Sequence, residues 1–266
     1  MINYIKNILK QKRLFILYYS VGTFLYVLLL VLTFPTIQSN SKAYTQIVNS
    51  LPKTFLRAFG VSQNNLTLLN YLSGKYTVIM LPLIMIFLIV SFSNSEVAGQ
   101  IENKTIGLVL SLPISRFKIF ISKYISGLIG ILVFIIFGVI LIIPLASIEN
   151  FKYSVLDIYL ISILTFIFGL SILSFSFFIS SFFSNKGKST MLISSVIFIM
   201  YVFNVVYSLS SNLKLLKYFS IFYYYNINNI IQNNSIKISS IIVFSLIFIV
   251  FLLFGLFIFL KRDIEL

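Results

Sequence analysis

Carboxylates are the main candidates for chemistry in this sequence, because it contains no His and no Cys. Metal sites with imidazole or thiolate ligands, and catalysis by His or Cys, are therefore excluded. Acid–base catalysis by carboxylates usually needs two of them close together, and no two share one apolar segment. The six acidic residues are Glu96, Glu102, Glu149, Asp157, Asp263 and Glu265. The sequence does not predict an enzyme.

A short basic motif suggests phosphate binding at first sight. Gly187-Lys188-Ser189 matches the last three residues of a phosphate-binding loop. The full motif needs another glycine at position 182, which is Phe182, and a strand before it. We interpret "NKGKST", residues 185–190, as a basic turn between two apolar segments. We expect no nucleotide, cofactor or metal on this chain.

The composition is that of a membrane protein. Hydrophobic residues make up 59% of the 266 positions and charged residues 10%, with a mean hydropathy of +1.04. Soluble domains have about 25% charged residues. The net charge of +14 comes from basic residues at the ends of apolar runs, where they contact anionic lipid and set topology. We therefore predict contact with membrane lipid and none with nucleic acid.

Six apolar segments have the length needed to cross a bilayer, about 20 residues. They are 14–34, 76–95, 120–143, 156–183, 190–211 and 238–260. These segments predict an all-α, polytopic membrane protein with one transmembrane domain over residues 1–266. The first is interpreted as a retained helix, because its apolar run is about twice as long as that of a signal peptide. No charged residue lies near a predicted midplane, so the energy for any transport must come from elsewhere.

Six spans place both termini on one side of the membrane. With the termini in the cytosol, twelve of the 20 basic residues lie on short inner segments and eight on longer outer loops. The higher density of basic residues on inner segments predicts cytoplasmic termini in a multi-pass protein of the cell membrane. Abundant Ile, Asn, Lys and Phe is typical of an AT-rich genome, and it suggests a bacterial origin.

Three segments outside the spans have recognisable patterns. Residues 2–13 have apolar side chains at helical spacing among basic ones, which predicts an amphipathic elbow helix on the inner leaflet. The outer loop 35–75 contains the amphipathic stretch "LPKTFLRAFG", residues 51–60. Residues 212–237 are rich in Tyr and Asn and predict an interfacial segment with an aromatic belt. The belt consists of Tyr218, Tyr223, Tyr224 and Tyr225.

The sequence "EVAGQIENKTIGLVLSLPISRFK" interrupts the apolar pattern between the second and third spans. Ser93 and Glu96 have the spacing of a capping box, and residues 98–110 favour a helix. Pro113 cannot continue that helix, and Ser115 can cap a new one that leads into the third span. The predicted shape is a span, a short amphipathic helix, a sharp break and a span.

This loop resembles one in a known family. "EVAGQIE" followed by "LVLSLPISRFKIFISKY" is similar to a loop in permease subunits of ATP-binding-cassette exporters of the second class. In that family, Glu and Gly precede an "LLSLPVSR"-type sequence and a downstream Lys. The final "KRDIEL" is similar to the family ending "RRDI", and "LPKTFLRAFG" resembles the family's outer loop. The relatives usually have Gly-Thr where this chain has Gly99-Gln100.

The resemblance implies that the loop is a coupling helix, which docks on a separate cytoplasmic ATPase subunit that holds ATP and Mg. The residues expected to contact that ATPase are Glu96, Gly99, Glu102, Ser111, Pro113 and Arg116. The resemblance also implies a second permease subunit, identical or related, and export of a peptide antibiotic, toxin, lipid or hydrophobic drug. Two alternatives remain open on the residues alone. These are a non-transporting immunity or sensor protein of the membrane, and a secondary carrier.

Overall fold

A computed structural model describes residues 1–52, 56, 67–111, 113–151, 153–209 and 211–262. Within these ranges every regular element is helical, and six helices are long and apolar enough to cross a membrane. The prediction of an all-α polytopic membrane protein is confirmed. Most of "LPKTFLRAFG" and the end of "KRDIEL" lie outside the described residues.

The six long helices, called the first to sixth spans, each overlap one predicted apolar segment. They are Ile2–Ser39, Met80–Glu96, Arg116–Ile135, Val155–Phe182, Lys186–Leu209 and Ile238–Lys261. The third span continues through a wide π-helical turn, Ile136–Ile140, into a last helix, Ile142–Ile148. The hydroxyl of Tyr76 donates a hydrogen bond to the carbonyl of Gly138 in that turn, at 2.8 Å. Tyr76 thereby joins the segment just before the second span to the third.

The predicted elbow is helical but is not a separate element. Residues 2–13 form the first turns of a helix that runs without a break from Ile2 to Ser39. Nothing separates residues 2–13 from the apolar segment that follows, because no Gly or Pro occurs before Gly22. A 38-residue helix is about 57 Å long, well beyond the roughly 30 Å of hydrocarbon in a bilayer. Its start therefore extends beyond the hydrocarbon, where Lys12 contacts Glu96 at the end of the second span, just before loop 97–115, the connection between the second and third spans.

We call the end of the bundle that carries this loop the loop end, and the opposite one the far end. Short helices cover the far end: Ser41–Ser50, Leu68–Leu72, Ser73–Thr77, Ser211–Phe219, Ile221–Tyr224 and Ile227–Asn233. Tyr225 is buried, and its hydroxyl pairs with Thr165 Oγ1 at 2.9 Å. Its ring lies 4.8 Å from that of Phe168. The prediction that Tyr225 belongs to an interfacial belt is therefore wrong, because it anchors this cover to the fourth span.

The fourth span lies at the centre of the bundle and contacts the second, third, fifth and sixth spans. It meets the sixth span closely at Gly255. A Cβ atom at this glycine would lie 3.0 Å from Phe178 Cα and 3.2 Å from Phe178 N. The absence of a side chain lets the two backbones touch, as small residues do between membrane helices. By contrast, the fifth span buries only Ser189, Ile193 and Ile197 among its described residues.

We expect Gly255→Ala to destabilise the protein by about 1–3 kcal/mol, because the added methyl group overpacks a backbone contact. Alanine favours helix over glycine, so the loss would come from packing alone. Gly22→Ala is the matched control, since a Cβ there would meet no atom within 4 Å. Thermal unfolding of both variants in detergent measures the difference. Equal unfolding midpoints for Gly255→Ala and Gly22→Ala would contradict the close packing described at Gly255.

Candidate functional site

Loop 97–115, of which residue 112 lies outside the described residues, contains two short helices. These are Ala98–Glu102 and Ile106–Leu110, and a turn over residues 103–105 separates them. Lys104 in the turn has a φ of 55°, in the left-handed region. The predicted single helix over 98–110 is therefore wrong. Asn and Thr, which flank Lys104, favour helix weakly and so permit the turn.

The two predicted caps have different outcomes. The capping box of Ser93 and Glu96 is wrong, because Ser93 lies inside the second span and its hydroxyl donates to the Val90 carbonyl at 3.2 Å. The cap at Ser115 is confirmed, since its Oγ accepts a hydrogen bond from the Lys118 N–H at 3.4 Å. Loop 97–115 thus starts without a side-chain cap and ends with one.

Glu96 is buried, with 2% of its surface exposed, and is paired on both carboxylate oxygens. Lys12 Nζ lies 3.2 Å from Oε1, and Gln100 Nε2 donates to Oε2 at 3.1 Å. Lys12 also donates to Ser95 Oγ at 2.8 Å. The long first helix therefore supplies a cation that neutralises a carboxylate at the end of the second span.

Lys123 completes this group from the third span. Its side chain is fully buried, and its ammonium donates to the Glu96 backbone carbonyl and, at 2.7 Å, to Gln100 Oε1. Lys123 lies near the start of the predicted third segment, 120–143. We call Lys12, Glu96, Gln100 and Lys123 the lysine cluster. It joins the first three spans to the beginning of loop 97–115.

Glu102 faces the other side of the bundle, toward the fifth span. Its Oε2 accepts a hydrogen bond from the Lys186 backbone N–H at 2.7 Å, and its Oε1 accepts one from Asn185 Nδ2 at 3.0 Å. A carboxylate at a helix N-terminus satisfies free N–H groups and interacts favourably with the helix dipole. Gly99 makes this approach possible, because a Cβ there would lie 3.1 Å from the Asn94 carbonyl oxygen and 3.5 Å from Lys186 Cδ.

Asn94 forms a second connection to the fifth span, two residues before the end of the second. It is fully buried; its side-chain carbonyl accepts hydrogen bonds from the hydroxyls of Ser180 and Ser189. Its amide donates to Thr190 Oγ1 at 2.9 Å. We call Asn94, Ser180, Ser189 and Thr190 the asparagine cluster. It joins the second, fourth and fifth spans through side chains that do not change protonation state at physiological pH.

Two arginines bind backbone carbonyls at the C-termini of the sixth and fourth spans. Arg116, at the start of the third span, donates to the Arg262 carbonyl at 2.9 Å and lies 3.5 Å from that of Leu260. Arg262 in turn donates to the Ser181 and Phe183 carbonyls, at 2.6 and 3.1 Å. Partial burial lowers the pKa of Arg262. The arginines thus bind carbonyls that the sixth and fourth helices leave free at their C-termini.

The six predicted site residues therefore fall into two groups. Glu96, Gly99, Glu102 and Arg116 face the bundle and contact its helices, whereas Ser111 and Pro113 are exposed. Sequence reasoning missed the lysine and asparagine clusters. The resemblance gave one signal for the first, the downstream Lys at position 123, but no pattern marks the partners of Asn94.

The chemistry of this site is structural. The carboxylates of Glu96 and Glu102 are both paired with neighbouring donors. No group of His, Cys, Asp or Glu that could hold a metal ion occurs in the described ranges. Charged and amide side chains bond helix ends and one another. Such an arrangement can fix or release the position of loop 97–115 relative to the spans.

Comparison with known families identifies the class of protein. Residues 5–264 match the family described as "ABC-2 family transporter protein", and the chain belongs to this family. No curated protein matches the sequence. The chain is therefore a multi-pass permease component of an ATP-binding-cassette transporter. Members of this class associate in general with an ATPase subunit and are generally not catalytic themselves.

We expect Lys123→Met to lower the thermal stability of the protein. The change leaves the Glu96 carbonyl and Gln100 Oε1 without their buried donor, which costs about 1–3 kcal/mol for an unsatisfied group. Lys118→Met, an exposed position one and a half turns earlier on the same helix, is the matched control. Unfolding midpoints in detergent give the comparison. A loss of stability in Lys118→Met but not in Lys123→Met would contradict the described cluster.

Proposed function

We propose that this chain is the membrane subunit of an exporter and that loop 97–115 receives the motion of a separate cytoplasmic ATPase. The observation that carries the proposal is that the two sides of the loop differ in their contacts. One side is fastened to the spans by Glu96, Gln100 and Glu102. The other side is exposed and carries an apolar side chain, Leu108, that contacts little of the chain itself.

The exposed side provides the surface for the partner. Leu108 is 74% exposed, and Lys104, Ser111 and Pro113 near it are also exposed. An exposed apolar side chain close to polar ones such as Lys104 and Ser111 is compatible with the core-and-rim pattern of protein interfaces. In this proposal Leu108, Ser111 and Pro113 contact the ATPase directly. The motion of the loop reaches the helices of the bundle through the contacts of Glu96, Gly99, Glu102 and Arg116.

The loop end is assigned to the cytosol. Both described ends of the chain lie there, together with the basic residues of the first span and of the turn at 185–190. Short segments rich in Lys and Arg remain on the cytoplasmic side of membranes. The protein would thus lie in the cell membrane with cytoplasmic termini, and its composition suggests a bacterial source.

A cavity of about 490 Å³ between the second and fifth spans suggests the kind of cargo. Its lining is mainly apolar and aromatic, with a few hydroxyl groups. The lining includes Leu83, Phe87, Ser194, Ser195, Phe198 and Tyr201. A surface of this type suits a hydrophobic or amphiphilic cargo, such as a lipid, a hydrophobic drug or an amphiphilic peptide.

The cavity is partly open, and the fifth span, which forms one of its walls, buries few of its described residues. A second permease subunit, identical or related, would close it. The translocation path would then run between two six-span subunits, each bound to one ATPase that holds ATP and Mg. No group in the described residues takes part in hydrolysis in this scheme.

We expect Leu108→Ser to weaken association with the proposed ATPase subunit by about tenfold, or about 1.4 kcal/mol, because an apolar anchor is lost from the interface. Co-purification of the tagged permease with that ATPase measures the effect. Ile47→Ser is the matched control, since Ile47 is 63% exposed on a far-end helix.

The same pair of variants tests the orientation. Loss of the ATPase in Ile47→Ser with retention in Leu108→Ser would mean that the far end faces the cytosol. Retention of the ATPase at wild-type level in both would mean that the loop is not its docking surface. A wild-type permease that never co-purifies with an ATPase would favour a non-transporting membrane protein.

A further inference from the structure

The cavity between the second and fifth spans is closed at the loop end by polar contacts. Val90 and Ser194 are the lining residues nearest that end on the two helices. Asn94 and Thr190 lie one helical turn further toward the loop, and their side chains are hydrogen bonded at 2.9 Å. Ser189, beside Thr190, bonds the same asparagine. The asparagine cluster is therefore the boundary between the cavity and the loop end.

The asparagine cluster is satisfied within the protein. Asn94 is fully buried, as are Ser180 and Ser189, and its side-chain oxygen and nitrogen each have partners. Separation of the second and fifth spans would leave these groups without partners unless water replaced the lost bonds. An opening here would thus admit water to the cavity from the loop end.

Glu102 holds the same pair of spans together from loop 97–115. Its two carboxylate oxygens bond Asn185 and the N–H of Lys186, at the N-terminus of the fifth span. Unlike Asn94, Glu102 is exposed. A displacement of the loop would therefore act on this contact before it acts on the buried one.

We propose that Glu102 and Asn94 form a latch that closes the loop end of the cavity. Withdrawal of Glu102 from the N-terminus of the fifth span loosens the contact between the second and fifth spans, and the cavity opens toward the side of the loop. Glu102 is thus a positioning residue for the fifth span rather than a contact for the ATPase. The latch is inferred from the geometry alone. The passage of cargo through the opening depends on the proposed function.

The absence of cysteine from the sequence provides a clean test. Ser194→Cys places a single thiol on the cavity wall, about 12 Å along the helix from Lys186. Its rate of reaction with a small charged thiol reagent, a methanethiosulfonate with a trimethylammonium group, reports water in the cavity. Open membrane fragments expose both faces to the reagent. The rate of a Lys188→Cys protein, whose thiol is exposed near the latch, serves for normalisation.

We expect Glu102→Ala to raise the normalised rate about fivefold, the factor that corresponds to a lost helix cap of about 1 kcal/mol. Asn185→Ala removes one donor to the carboxylate, together with the hydrogen bond that Asn185 Oδ1 accepts from the Lys188 N–H, and should give a smaller increase. Glu149→Ala is the matched control, because this exposed carboxylate lies at the far end of the third span. It should leave the rate unchanged.

An unchanged rate in both Glu102→Ala and Asn185→Ala would overturn the latch, as would an equal increase in Glu149→Ala. If Glu102→Ala failed to insert in the membrane, Asn185→Ala and Glu102→Gln would decide, since Gln keeps one acceptor for the Lys186 N–H and should give an intermediate rate. The test needs neither ATPase nor cargo. Its failure would therefore leave the proposed function standing, and a failure of ATPase docking would leave the latch standing.

Discussion

Long helices leave backbone carbonyls and N–H groups without partners at their ends, and the loop end of this bundle depends on how those groups are bonded. Lys123 bonds the last carbonyl of the second span, and Arg262 bonds carbonyls at the end of the fourth. Glu102 bonds the first N–H of the fifth span. Near a membrane each of these groups would be costly to leave unpaired, which explains why a protein with 10% charged residues places so many of them together.

Because each of these side chains belongs to a different helix from the end it bonds, the network is also the means by which the spans contact one another. Lys12 brings the first helix to Glu96, and Arg116 connects the third span to the sixth. Loop 97–115 lies at the centre of these connections. A force applied to its exposed side would therefore reach several helices, as the proposed docking of an ATPase requires.

The sequence was sufficient for the parts of this arrangement that depend on local patterns. Apolar runs located the six spans, and Pro113 with Ser115 located the break before the third. The contacts that define the site could not be found in this way. Asn94 and Ser189 are 95 positions apart, and Glu102 and Lys186 are 84 apart. Such pairs come together only when the fourth and fifth spans pack against the second, and neither their spacing nor their residue types predict it.

The proposed latch requires that loop 97–115 controls the position of the fifth span through Glu102. Spin labels on Lys104→Cys and Lys188→Cys, in the cysteine-free chain bound to its ATPase, would measure the distance between the loop and the start of that span. We expect this distance to change by roughly 5 Å between nucleotide-free, ATP-bound and ADP-bound states, as the contact between Glu102 and the N-terminus of the fifth span forms and breaks. One unchanged distance in all three states, while the ATPase turns over ATP, would contradict it.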